Sequence, residues 1–204
     1  MATKQDVRSQ RSWARIAGLM YWLVLAVDLS GMQLRSPATS KSLMLAGSVF
    51  TIPLSLGLYY ALRPVQSILA STALGFRLAE AALGILSTLA GFAGVQARLS
   101  PMGLGGKLLE LAHWDNRTAF GAFVFTIGST VFFYLFVKST YIPATLAWLG
   151  MGASMLAFSA CLMHLLRPAF PAMTMYAWLP MLLGETSTGL WLIVKSLKIA
   201  NRYE

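Results

Sequence analysis

Arg77 and Glu80 stand three residues apart inside an otherwise apolar stretch, FRLAEAALG at 76–84. A second glutamate, Glu185, lies in GETSTG at 184–189, again with long apolar flanks, and Asp28 interrupts a third apolar run. A guanidinium keeps its charge and can fork to two carboxylates, so the expected arrangement has Arg77 between Glu80 and Glu185. The carboxylates outnumber the single base, which leaves a carboxyl free to hold a proton or a cation. The chemistry suggested is recognition of an anionic group at Arg77 with proton exchange on Glu80 or Glu185. An ion cluster that only fixes helix register is the structural alternative.

His113, Asp115 and His164, together with Asp28, make a second set. Two histidines and two carboxylates are an acceptable metal ligand set, which gives a membrane enzyme or metal-binding protein with an outer-face site as the alternative function. No HExxH, paired-histidine or nucleophile-elbow spacing accompanies them. A bis-histidine haem needs two histidines at matching depth, and of the two only His164 falls on an expected membrane helix. The one cysteine, Cys161, excludes an intrachain disulfide and a cysteine cage. No cofactor is expected, and the sequence does not specify a metal.

The elements that must position these residues are set by composition. Hydrophobic residues make up 57% of the 204 and charged residues 11%, with a mean hydropathy of +0.65, against about 25% charged in soluble domains. Crossing a bilayer takes roughly 20 mostly apolar residues, and six such runs are present, at 13–32, 43–62, 68–95, 118–137, 142–165 and 172–194. They are continuous rather than alternating, which favours helices over barrel strands. The expectation is an all-α polytopic membrane protein, a bundle of six transmembrane helices forming a single integral membrane domain over 1–204. The first run is too long for a signal peptide and has no Ala-x-Ala-like site after it, so it reads as a retained helix.

Stepping by three and four from Arg77 along the third run meets Ala70, Ala73, Glu80, Gly84, Ser87, Gly91 and Gly94. Lipid has no reason to select small or charged residues on one line, whereas close helix packing does. The fifth run carries a similar line, Ala147, Gly150, Ser154, Ala157, Cys161 and His164. Both faces are expected to turn inward. An ionisable group at the bilayer centre costs about 2.5–3.5 kcal/mol on insertion scales, so Arg77, Glu80 and Glu185 must face one another or water.

Leu62-Arg63-Pro64 recurs 104 residues later as Leu166-Arg167-Pro168, and Glu80 and Gly84 recur 105 residues later as Glu185 and Gly189. Three helices repeated once would have opposite orientations, the 3+3 inverted-repeat plan of many transporters. Between the third and fourth runs, 107–114 reads as a short interfacial helix, with Trp114 at headgroup level.

The net charge of +9 is read as an orientation signal. Lys4, Arg8, Arg11, Arg15, Arg63, Lys138, Lys195, Lys198 and Arg202 fall on the side of the termini, against Arg35, Lys41, Arg98, Lys107, Arg117 and Arg167 on the other. Both termini are therefore expected in the cytoplasm. The partners expected are the lipid bilayer, a small-molecule or ion ligand, and a second copy or other membrane helices, but no nucleic acid.

The segments LRPV, FRLAEAALG, ELAHWD, IPATLAWLGM and LLGETSTGLWLIVKSLK resemble the DUF4386 family of bacterial six-helix membrane proteins. The resemblance runs from about the first helix to the end of the sixth and implies a bacterial inner-membrane protein whose distinctive residues include Arg77, Glu80, His113 and Glu185. It implies no established activity. The function expected from the residues is a small transporter or permease-like protein. Besides the outer-face enzyme, a non-catalytic accessory or sensor subunit that binds partner helices is a third reading.

Overall fold

The structure is a computed structural model and describes residues 4–34, 37–93, 119–166 and 171–199. Six helices account for nearly all of them: α1 Lys4–Gln33, α2 Pro37–Leu62, α3 Ser67–Ala93, α4 Ala119–Ser139, α5 Ala144–Leu166 and α6 Pro171–Val194. No strand occurs among the described residues. The expected all-α membrane bundle is present. The proposed interfacial helix at 107–114 lies outside the described residues.

Five helices are long and apolar enough to cross a membrane. The other, α6, has 24 residues, but GETSTG dilutes its apolar content. α1 and α2 start earlier than the expected apolar runs, at Lys4 and Pro37. The added helical stretches are mostly polar, so no hydropathy pattern marks them. Pro37 and Pro171 occupy first-turn positions, where the missing N–H costs no hydrogen bond. Pro53 and Pro180 lie inside α2 and α6, where neighbouring helices and side chains can satisfy the freed carbonyls.

Each helix packs on its neighbours in sequence, and α6 packs on α1, which closes a ring; α2 also reaches α4 across it. Neighbours run antiparallel. The Gln10 amide donates to the Ala61 carbonyl, tying the start of α1 to the end of α2. Lys138 at the end of α4 donates to Gln66 before α3 at 3.0 Å. The hydroxyl of Ser196, just past α6, donates to the Arg11 carbonyl at 3.1 Å. Both α1 and α6 therefore place their outer ends on one side, the terminal end.

Close approach along the seams depends on small residues. A Cβ on Gly18 would stand 2.7 Å from the Gly189 carbonyl, so α1 and α6 meet backbone to backbone there. The α5 line from Ala147 to His164 is buried at every position named above. On α3, Ala70, Ala73 and Arg77 are buried. Large apolar side chains such as Leu86, Trp148, Leu183 and Val194 lie exposed on the outside, as a lipid-facing surface requires.

Packing is uneven along the ring axis. Toward the terminal end Leu54, Leu58, Leu62, Phe132, Phe133, Phe136 and Leu192 are all within 1% of full burial. The segment after α6 folds over this end. Ser196 adopts φ 56°, the Lys198 N–H donates to the Tyr141 carbonyl at 2.8 Å, and Leu197 is buried. At the other end the inward residues Val24, Asp28, Ser48, Glu80 and Gly84 keep part of their surface accessible.

Candidate functional site

The site lies midway along the ring, where the apolar packing ends. Arg77 is 3% exposed, and its Nη1 stands 2.9 Å from Oε2 of Glu80 one turn later on α3. The contact is an ion pair without an aligned N–H···O bond. Three residues on a helix place side chains on neighbouring positions of one face, so the FRLAE spacing itself produces the pair.

Helix α4 completes the seat for Arg77. The guanidinium carbon lies 4.5 Å from the centroid of the Phe125 ring, a cation–π contact of about 2 kcal/mol when shielded from water. One turn on, Gly128 makes room for the arginine stem: a Cβ there would meet Cγ of Arg77 at 3.0 Å and the Ala73 carbonyl at 3.2 Å. Phe125 and Gly128 follow the same line along α4, with the ring under the charge and the gap beside the methylenes.

Glu185 comes from α6, opposite α3 in the order of the ring. The expected fork from Arg77 to both glutamates does not form; among the described residues Arg77 pairs with Glu80, and Ser129 of α4 lies near Glu185. The physical reason is position: Glu80 lies one turn from Arg77 on the same helix, whereas Glu185 stands on α6, on the far side of the ring. Oε1 of Glu185 is buried without a hydrogen-bond partner. Tyr21 of α1, buried against Gly189, lies within electrostatic range of Glu185, Arg77 and Glu80.

Asp28 sits farther along α1. Its carboxylate fills the space over Gly47 of α2, where a Cβ would collide with it, and it lies within electrostatic range of Glu80. The cluster therefore holds one guanidinium and two glutamates at its centre, with Asp28 on the more open side.

The outer-face set is not assembled among the described residues. His164 is buried near the end of α5, Asp28 is on α1, and α6 separates those helices in the ring. His113 and Asp115 lie outside the described residues. No three His, Cys, Asp or Glu side chains among the described residues come together as metal ligands would.

Tyr21, Phe125, Gly128 and Ser129 surround the charges without having been singled out for chemistry. Tyr21, Phe125 and Gly128 stand on inward lines that sequence spacing can trace, but aromatic and small residues are common in any membrane helix. Ser129 carries no such signal.

The family described as Domain of unknown function (DUF4386) matches residues 38–196. The chain belongs to the DUF4386 family. The matched span holds α2 to α6 and with them Arg77, Glu80, Phe125, Ser129 and Glu185, whereas Tyr21 and Asp28 precede it. No curated protein and no solved structure matches this DUF4386 protein. It is an integral membrane protein, and its lipid-facing surface is the apolar exterior of the ring.

Proposed function

We propose that this DUF4386 protein is a small permease-like transporter in which Arg77, Glu80 and Glu185 bind an anionic ligand together with a proton. The observation that carries the reading is a buried Arg77–Glu80 pair beside a second glutamate with an unpartnered oxygen. Intramembrane charges are costly, and groups of this kind mark ligand and proton pathways.

The chemistry is competition for one guanidinium. While Glu80 is ionised it occupies Arg77. Protonation removes the negative charge from Glu80 and with it the Coulombic attraction to the guanidinium. An incoming carboxylate or phosphate then takes the arginine, so anion and proton enter together. Glu185, with Ser129 near it, provides a second proton acceptor within the field of Arg77.

The surrounding helices support this use. Pro53 and Pro180 lie within the continuous helices α2 and α6, where each removes a backbone N–H and weakens the helix locally. Glu80 keeps 23% of its side-chain surface accessible, whereas the terminal end is filled with apolar side chains. In a 3+3 inverted repeat α3 and α6 would correspond, and they supply the two glutamates. We read the membrane as the bacterial cytoplasmic membrane with both termini inside, supported by the basic residues of the terminal end.

The binding step is tested on purified protein in detergent. Millimolar small carboxylates and inorganic phosphate are expected to raise the thermal midpoint, more at acidic than at neutral pH, and the shift should vanish in Arg77→Gln. Absence of any shift in the unsubstituted protein at either pH would remove the reading.

A further inference from the structure

The apolar packing of the terminal end is crossed by one row of polar groups. Glu185, Thr188 and Trp191 follow one another at three-residue steps along α6. Each has a buried polar atom without a hydrogen-bond partner: Oε1, Oγ1 and Nε1. Thr188 is 0% exposed. Hydroxyls in helices commonly return to a carbonyl one turn back, and Ser48, Thr51, Ser55, Thr88, Thr130 and Ser154 all do so. Thr188 does not.

Buried polar groups in native proteins have partners, from protein or from ordered water. Side chains three residues apart on a helix are separated by about 5–6 Å, a gap that one water spans with a hydrogen bond at each side. The donors and acceptors are in a workable order. The Trp191 N–H donates to a first water, that water donates to Oγ1 of Thr188, the Thr188 hydroxyl donates to a second water, and the second donates to Oε1 of Glu185. Each water then has two polar protein partners, the minimum for a buried site. Trp191 brings the row to the terminal end, where Nζ of Lys198 lies 5.1 Å from its ring centroid.

We propose that bound water follows α6 from Glu185 past Thr188 to Trp191 and links the intramembrane site to the terminal end of the bundle. The row joins the site away from the more accessible side at Asp28 and Glu80. The titratable groups facing Glu185 are Arg77 and Glu80 of α3 and Tyr21 of α1. The use of this row as a proton route rests on the transporter reading; the presence of water in it does not.

Radiolytic hydroxyl labelling of the full chain in detergent, read by mass spectrometry, tests the proposal. Leu192, 0% exposed and one turn beyond Thr188, is the reporter, and Leu58, 1% exposed on α2, is the dry control. Leu192 should label several-fold faster than Leu58 in the unsubstituted protein and in Thr188→Ser, and fall to the Leu58 rate in Thr188→Val. Equal labelling of Leu192 and Leu58 in the unsubstituted protein would overturn the proposal without recourse to any variant. So would labelling of Leu192 that is unchanged in a folded Thr188→Val. Rapid labelling of Leu192 in protein that transports nothing would support the water row and count against the transporter reading.

Discussion

Gly128 of α4 and Arg77 of α3 fit as gap and stem: a Cβ on the glycine would stand 3.0 Å from Cγ and 3.2 Å from Cδ of the arginine. The nearest atom belongs to the arginine stem, with the Ala73 carbonyl next at 3.2 Å, so Gly128→Ala should fold with Arg77 displaced from Phe125 and a small shift at the α3–α4 seam. Overpacking of this kind costs about 1–3 kcal/mol. A bulkier Gly128→Leu should lower the thermal midpoint further, measured by unfolding in detergent.

Arg77→Ala leaves Glu80 and Glu185 without their base. Removing one partner of a buried pair costs about 3–5 kcal/mol, and protonation of the glutamates will recover part of it. The loss of stability should therefore be larger at neutral pH than at pH 5. Glu80→Gln with Arg77 intact should cost less, since the guanidinium keeps the Phe125 ring. Thermal unfolding of both variants at the two pH values checks the order.

The seam between α1 and α6 gives a prediction free of charge effects. At Gly18 the obstacle to a side chain is the Gly189 backbone at 2.7 Å, whereas a Cβ on Gly152 meets nothing within 4 Å. Gly18→Ala should destabilise by about 1–3 kcal/mol. Gly152→Ala should be neutral or stabilising by up to about 1 kcal/mol, the helix-propensity gain. Both are read from unfolding midpoints.

The ring order places residue 11 beside residue 196, so α1 and α6 bring their outer ends to the same side. Single cysteines introduced at Arg8 and Lys195 in a Cys161→Ala background should respond alike to a membrane-impermeant thiol reagent. Protection of both in intact cells and labelling of both after lysis is the expected result.

Much of this arrangement is legible in the sequence because lipid penalises the wrong residues so heavily. Six apolar runs locate the helices, and the small-residue line through Ala147 and Ser154 identifies the buried face of α5. Arg77, Glu80 and Glu185 announce themselves as charges where charges are costly. The surroundings of Glu185 are not legible. Counting charges predicts a fork from Arg77, but α3 and α6 stand opposite each other in the ring, a lateral order set by contacts between residues far apart in the chain. The early start of α1 is hidden for another reason: its first turns are basic and polar, so no apolar period marks them. Thr188 and Trp191 are ordinary membrane-helix residues by type, and their unpartnered atoms emerge only from the packing around them.

Under the proposed function, anion and proton use the same site. Proteoliposomes loaded with a pH-sensitive dye and given a small carboxylate or inorganic phosphate outside test it most directly. With the unsubstituted protein, anion entry should acidify the lumen and accelerate as external pH falls, and Glu185→Gln should abolish the acidification. Anion entry with no proton movement, or acidification undiminished in Glu185→Gln, would contradict the account.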